Sequence, residues 1–238
     1  MVCQLKSPRM TIKDILAQLE SLGQEARRKH NAKIGPDGTA PPPPAKQFGV
    51  PMAEVRTLAK KLKADHTHAV KLWETGNLEA QLIAALSLKP NELSTKAIGD
   101  LAARTSCAQA AEWFNSYVVA QHPEKDALRE AWMKSKETWT ARAGWQLTAS
   151  LINKDHGNKL DLDALLGRIE KEMPKAKPEV QWTMNNTLMA IGVKHPSHRA
   201  RAIAMGEKIG LYADWPKSKG CIIPFAPTAI EALAKREK

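Results

Sequence analysis

Apolar residues recur at intervals of three and four along almost the whole chain, the spacing that places side chains on one face of an α-helix. The pattern begins after Met10 and predicts a first helix over residues 12–30. Further segments predict helices over residues 53–62, 69–72, 79–88, 94–104, 108–120, 125–132, 139–151, 162–173, 179–191 and 198–209. No strand is predicted before the tail segment "CIIPF". The pattern therefore predicts an all-α protein.

Segments rich in proline and glycine divide the chain. Four consecutive prolines at residues 41–44 cannot lie within a helix, so they predict a loop with polyproline character. We therefore predict an N-terminal helical segment over 1–34, a loop over 35–51, a repeat array over 52–212 and a tail over 213–238 that packs on the array. Short breaks inside the array, such as "TGN" at residues 75–77, predict stacked helical hairpins.

Two segments of the array resemble each other. The segment "TWTARAGWQLTASL" at residues 138–151 aligns with "QWTMNNTLMAIGV" at residues 181–193, with Trp139 over Trp182. Periods of about 40–47 residues are typical of HEAT-like and armadillo-type arrays, in which one helix of each pair lines a concave surface. Arg142 lies three residues from Trp139 and from Trp145, so the three side chains share one side of a helix. We predict that Arg142 and a tryptophan face the concave side.

The charge of the chain is strongly asymmetric. It has 36 Lys and Arg against 25 Asp and Glu, a formal net charge of +11. Such an excess favours a polyanionic partner, nucleic acid first and an acidic membrane surface second. No apolar stretch is long enough to span a bilayer. The chain has three scattered cysteines, Cys3, Cys107 and Cys221. Their odd number and lack of pairing fit a reducing compartment, which predicts a cytoplasmic protein.

The histidines do not predict a metal site. His66 and His68 form one pair and His195 and His198 another, but neither pair has a third ligand at a suitable spacing. The cysteines form no Cys-x-x-Cys pair, which argues against a zinc knuckle. We therefore predict no metal and no other cofactor.

Four segments together resemble the DNA alkylation repair family of HEAT-like glycosylases, the AlkD-like proteins. They are "QFGVPMAEVRTLAKKLK", "LWETGNLEAQLIAALSL", "WTARAGWQL" and "QWTMNNTLMAIGVKHP", and the resemblance spans residues 46–212. The tail "DWPKSKGCIIPFAP" is similar to a divergent branch of the family. The resemblance implies a HEAT-like superhelix with a basic concave cleft that binds double-stranded DNA. We also predict a monomer.

The resemblance also implies a chemistry. Active relatives hydrolyse the N-glycosidic bond of N3- and N7-alkylated purines. Alkylation makes the base cationic and a good leaving group, so the site chiefly has to stabilise an oxocarbenium-like sugar and position a water. A carboxylate can do both. An arginine can hold a phosphate, and tryptophan faces can pack against a cationic base.

Active relatives present a Trp, an Asp four residues later, an Arg on the next repeat and a Trp on the repeat after that. The arginine corresponds to Arg142. For the first pair, one register in "RTSCAQAAEWF" places Cys107 and Ala111 at these positions. A shift of one residue places Ala108 and Glu112 there and keeps a carboxylate. No Trp lies between residues 186 and 189, where the last one should fall.

We therefore predict Glu112 and Arg142 as catalytic residues. The predicted DNA-binding residues are Trp139, Arg142, Trp182 and Asn185. Alternatively, Glu112 is a solvated surface residue and Arg142 forms a salt bridge between repeats. Two other functions remain open: a non-catalytic binder of damaged or branched DNA, and a helical-repeat scaffold for protein interactions.

Overall fold

The computed structural model describes residues 10–33, 43–62, 65–155, 157, 159–217 and 219–237 of the chain. These residues form α-helices and single 3₁₀ turns, with no strand among them. The helices are α1 (Ile12–Ser21), α2 (Glu25–Asn31), α3 (Met52–Leu62), α4 (His66–Glu74), α5 (Leu78–Ser87), α6 (Thr95–Ala103), α7 (Ala108–Tyr117), α8 (Lys125–Trp132), α9 (Thr138–Asp155), α10 (Leu162–Glu172), α11 (Pro178–Lys194), α12 (Pro196–Ile209) and α13 (Ala226–Ala234). The prediction of an all-α fold is confirmed.

The helix boundaries follow from local capping chemistry. The side chains of Asp65, Asn77, Ser94 and Asp161 each accept a hydrogen bond from the backbone two or three residues into a helix, as N-cap residues do. Helices α11 and α12 instead begin with a proline, whose missing N–H is one that a helix start leaves unpaired anyway. These signals fix where each helix begins, and the helices that follow are two to five turns long.

From α3 onward the helices form two layers. The odd-numbered helices α3, α5, α7, α9, α11 and α13 pack successively against one another, and we call this layer the odd-helix row. The even-numbered helices cover its other side, with α4 against α5, α8 against α9, and α10 and α12 against α11. This paired stacking is the HEAT-like repeat architecture that the sequence predicted.

Two hydrophobic cores meet at α8 and α9. Trp132 and Leu147 belong to the N-terminal core, whereas Met133 and Trp145 belong to the C-terminal core. Each core also includes a flanking segment: α1 contributes to the first and α13 to the second. Helix α9 is therefore the element that links the two halves of the array.

Helices α8 and α9 approach closely because Gly144 has no side chain. A Cβ atom at Gly144 would lie 2.5 Å from the Met133 backbone nitrogen and 2.8 Å from the Trp132 carbonyl carbon. Gly167 in α10 offers the opposite case, since a Cβ atom there would have no neighbour within 4 Å.

We expect Gly144→Ala to lower the free energy of unfolding by about 2–4 kcal/mol, because backbone atoms cannot move aside as a flexible side chain can. Gly167→Ala is the matched control. It should raise stability by about 0.5–1 kcal/mol, since alanine restricts the unfolded chain and favours the helix. Urea denaturation of both variants measures the difference. Equal effects of the two substitutions would contradict the close packing of α8 on α9.

A buried carboxylate attaches the segment before α3 to the odd-helix row. Glu79 in α5 has no exposed surface. Its oxygens accept hydrogen bonds from the backbone N–H groups of Phe48, Gly49 and Val50, at 2.9, 2.7 and 3.1 Å. Three N–H groups that would otherwise be unpaired are thus satisfied by one side chain.

The predicted continuous helix over residues 12–30 is wrong. Helix α1 ends at Ser21 and α2 begins at Glu25. Between them, a Cβ atom at Gly23 would lie 2.4 Å from the Phe48 carbonyl oxygen, so the segment around Phe48 packs directly on this break. A contact between distant residues therefore interrupts a segment whose apolar spacing is continuous.

The tail contains a helix that the periodicity did not predict. Residues 221–225 form neither strand nor helix, and α13 follows them directly. Residues 34–42, which include two of the four consecutive prolines of the predicted loop, lie outside the described part of the chain. In the part described, no helix has both the length and the apolar character needed to cross a bilayer.

Candidate DNA-binding and catalytic site

Glu112 and Arg142 are brought together by the packing of α7 on α9. Arg142 Nη2 donates a hydrogen bond to Glu112 Oε1 at 3.3 Å. The two partners differ in exposure: the Arg142 side chain is 0% exposed and that of Glu112 is 53% exposed. The pair therefore presents a carboxylate to solvent and keeps the guanidinium behind it.

Arg142 lies in an unusual environment for a charged group. Burial lowers the pKa of its guanidinium from the ordinary value, and the nearby Glu112 carboxylate opposes this shift. The thiol of Cys107 and the carboxylate of Glu179 act in the same direction as Glu112. Among the described residues, neither Nε nor Nη1 of Arg142 has a hydrogen-bond partner. A buried arginine with free donors is costly for stability, so a ligand that accepts hydrogen bonds from those donors would stabilise the protein.

Two residues near Arg142 were missed in the sequence. Glu179 lies in the first turn of α11, and its Oε2 atom is buried without a hydrogen-bond partner in the described structure. Its spacing of three residues before Trp182 is the signal that could have identified it. Tyr212 lies beyond the aligned repeats, where no periodic signal marks it.

Tyr212 closes the C-terminal side of this cluster. Its backbone is left-handed, with φ of 68°, and its hydroxyl is buried without a partner in the described residues. Burial raises the pKa of the Tyr212 hydroxyl, and the charge of Arg142 opposes this rise. The Tyr212 ring contacts Trp182 and Trp215 at centroid distances of 5.5 and 5.4 Å. A left-handed backbone is strained for a residue other than glycine. The packing of the Tyr212 ring against Trp182 and Trp215 keeps the backbone in this conformation.

The other predicted DNA-binding residues differ in accessibility. Trp139 and Trp182 are half-buried. Asn185 is buried, and its Nδ2 donates to the Pro224 carbonyl at 2.8 Å, so its amide holds the tail. Trp145, which shares the face of Arg142 in the sequence, is buried in the C-terminal core with the Arg168 guanidinium 5.0 Å from its ring.

Two hollows lie on either side of the C-terminal half of α9. A hollow of about 410 Å³ between α9, α11 and α13 includes Gln146, Asn153 and Asn186. A second hollow of about 180 Å³ lies between α8 and α9. On α7, next to Glu112, the Trp113 ring carries the Arg56 guanidinium at 4.4 Å.

The first histidine pair is engaged locally. Nδ1 of His68 lies 2.9 Å from Oδ1 of Asp65, and Nδ1 of His66 accepts a hydrogen bond from the backbone N–H of Lys89. In the described ranges, no group of three His, Cys, Asp or Glu side chains lies close enough together to hold a metal ion.

The chain is similar in sequence to two bacterial proteins. It is 23% identical over 195 residues to Lmo0209, an uncharacterized protein of Listeria monocytogenes, with 80% of this chain and 85% of the relative aligned. It is 23% identical over 194 residues to Lin0241, an uncharacterized protein of Listeria innocua, with 79% of this chain and 84% of that protein aligned.

A solved structure has the same fold. It is described as a new family of proteins related to the HEAT-like repeat DNA glycosylases with affinity for branched DNA structures. The match has a TM-score of 0.70 at 18% identity and covers 96% of this chain and 95% of the other. The sequence profile described as DNA alkylation repair enzyme matches residues 15–215. Since this match spans most of the chain, the protein belongs to the DNA alkylation repair enzyme family.

Proposed function

We propose that this protein binds duplex DNA across the odd-helix row and takes part in the repair of alkylated bases. The observation that carries the proposal is the Glu112–Arg142 pair, in which a half-exposed carboxylate lies on a buried guanidinium. The family match and the net charge of +11 favour DNA as the partner.

The charges around Arg142 suit a cationic ligand. Glu112 and Glu179 place two carboxylates near one guanidinium. This excess of negative charge would stabilise an alkylated purine, which is cationic, and the oxocarbenium-like sugar that forms when the base leaves. Glu112 is the accessible member of the set, so it is the residue that would face the sugar and a water. Arg142 positions it.

A direct contact between Arg142 and a DNA phosphate requires a rearrangement. The guanidinium has no exposed surface, and Glu112 occupies one of its donors. A phosphate would have to displace the Glu112 carboxylate before it could bind Arg142. Arg142 is therefore a positioning residue in the free protein and a phosphate ligand only if Glu112 moves.

We expect Glu112→Gln to abolish release of free base from methylated duplex DNA. The amide keeps the shape of the side chain but cannot stabilise positive charge at the sugar, and loss of one electrostatic contact typically costs about 10²–10³-fold in rate. The same variant should bind DNA at least as tightly as the wild type, because a negative charge is removed. The measurements are base release under single-turnover conditions and fluorescence anisotropy with labelled duplex.

Glu74→Gln is the matched control, since Glu74 is an exposed glutamate that also pairs with an arginine, Arg104. It should leave base release unchanged. Base release that persists in Glu112→Gln would remove Glu112 from the chemistry. A wild-type protein that neither releases base nor binds DNA would favour the protein-interaction scaffold.

The second candidate is a binder of damaged or branched DNA without base excision. It is supported by the residues at positions 107 and 108, where, in the two registers, the first tryptophan of the active relatives should fall. Neither position is a tryptophan. In the first of these registers both positions are buried, Cys107 and Ala111. The structurally similar protein is described as having affinity for branched DNA. Salt-dependent binding of duplex or branched DNA with no base released from either would support this candidate.

A further inference from the structure

The hollow between α8 and α9 contains a buried arginine that the site described above does not use. We call it the α8–α9 hollow; its polar lining consists of Gln121, Lys125, Asp126, Arg129, Ser150 and Lys154. The Arg129 side chain is only 7% exposed. Its Nη2 donates to Glu130 Oε1 at 2.9 Å, but its Nε has no partner among the described residues.

The composition of the hollow favours an anion. Lys125, Arg129 and Lys154 outnumber the one acidic residue of the lining, Asp126. Glu130, which binds Arg129, lies outside the lining and is itself largely exposed. The hydroxyl of Ser150 and the amide of Gln121 add neutral hydrogen-bond donors. A buried guanidinium that shares a hollow with two lysines is an arrangement that binds the oxygens of a phosphate group.

We propose that the α8–α9 hollow is a phosphate-binding site, and that its ligand is a backbone phosphate of the DNA bound by this protein. The second part rests on the proposed function. Ser150 lies two turns of α9 beyond Arg142, about 12 Å along the helix at about 1.5 Å per residue. This separation is comparable with the ~12 Å width of the major groove. Eight residues also turn the helix by about 80°, so a duplex bound at the Glu112–Arg142 pair has to extend around α9 to place a phosphate in the hollow.

The test uses two double variants that remove the same charge. Lys125→Ala with Lys154→Ala removes the two exposed lysines of the hollow and leaves the buried Arg129 in place. Lys71→Ala with Lys171→Ala removes two exposed lysines of the even-numbered helices α4 and α10. Each variant loses two of the eleven net positive charges. Any difference between them therefore reports position and not total charge.

The first measurement is the thermal unfolding midpoint in inorganic phosphate and in chloride at equal ionic strength. Phosphate should raise the midpoint of the wild type and of the control variant but not that of the hollow variant. The absence of a phosphate effect on the wild type, or an equal effect on all three proteins, would overturn the anion site. This measurement contains no DNA, so its outcome is independent of the proposed function.

The second measurement is DNA affinity as a function of salt. The slope of log K against log salt should decrease by about one in the hollow variant, which loses one phosphate contact, with roughly 5-fold weaker binding at 0.15 M salt. The control variant should lose much less. If phosphate stabilises the protein through the hollow but the slope is unchanged, the ligand is a free phosphate compound and the DNA assignment is overturned. If the wild type does not bind DNA at all, the proposed function fails together with that assignment.

Discussion

Glu79→Ala is expected to lower the free energy of unfolding by about 4 kcal/mol, because it removes the acceptor of three backbone N–H groups at once. The Glu79 oxygens lie 2.9, 2.7 and 3.1 Å from the nitrogens of Phe48, Gly49 and Val50. Those of Gly49 and Val50 are buried bonds, so water cannot simply replace the carboxylate. The segment before α3 would lose its attachment to α5.

Glu79→Gln tests the hydrogen bonds alone, because glutamine has nearly the same volume as glutamate. It keeps one acceptor oxygen and turns a donor toward the N–H groups, so its cost should be smaller, about 2 kcal/mol. Glu74→Ala is the surface control on the neighbouring helix, expected to cost less than about 1 kcal/mol. Denaturant unfolding with amide hydrogen exchange at residues 48–50 measures both effects. Retention of slow exchange there in Glu79→Ala would contradict the role of the carboxylate.

Arg142→Ala is expected to lower the free energy of unfolding by about 3 kcal/mol. It creates a cavity between α7, α9 and α11, and it removes a cation that interacts with the Glu179 carboxylate. The unpaired Nε and Nη1 atoms of Arg142 offset part of this loss, since their burial is itself unfavourable. The variant should also release base more slowly, because Glu112 is no longer positioned, and bind DNA more weakly, because the site loses a positive charge.

Arg104→Ala is the matched control for this substitution. Arg104 also pairs with a glutamate, with Nη1 3.0 Å from Glu74 Oε1, but its side chain is 61% exposed. An exposed pair of this kind contributes less than about 1 kcal/mol. Equal costs of Arg142→Ala and Arg104→Ala in urea denaturation would show that burial of Arg142 does not determine its contribution. Unchanged DNA affinity and salt dependence in Arg142→Ala would remove it from the site.

The sequence predicted the helices of the array because their apolar spacing is a local property. A helix that is buried on one face must have apolar residues every three or four positions. This pattern can be recognised in the sequence without knowing which helices pack against it. The segment 125–132 coincides with α8, and the other predicted helices of the array differ from the observed ones mainly at their ends. Helix α13 was missed because Pro224 and Pro227 flank its start, where prolines indicate a loop.

Where distant segments meet, the periodic pattern was not sufficient. The break between α1 and α2 depends on the Phe48 carbonyl, which packs against Gly23. The apolar spacing of residues 12–30 does not indicate that contact, because the contacting residue belongs to a segment that lies further along the chain. Apolar periodicity therefore predicts which residues turn inward but not where another segment interrupts the helix.

The sequence predicted only part of the candidate site, for the same reason. Arg142 and Glu112 were identified from a family resemblance, but their contact joins residues 30 positions apart and depends on α7 packing on α9. Glu179 and Tyr212 reach the same place from α11 and from the segment after α12. No spacing in the sequence links these residues, since the stacking of repeats sets their distances.

The sequence by itself determined the all-helical repeat and the excess of basic charge, because both depend only on which residues occur and how they are spaced. Only the tertiary structure decided that Arg142 is buried behind an exposed Glu112. Burial, pKa and access to a ligand are properties of the space between helices. The stacking of α7, α9 and α11 defines that space. The charged groups around Arg142 belong to more than one of these helices, so no single helix determines its environment.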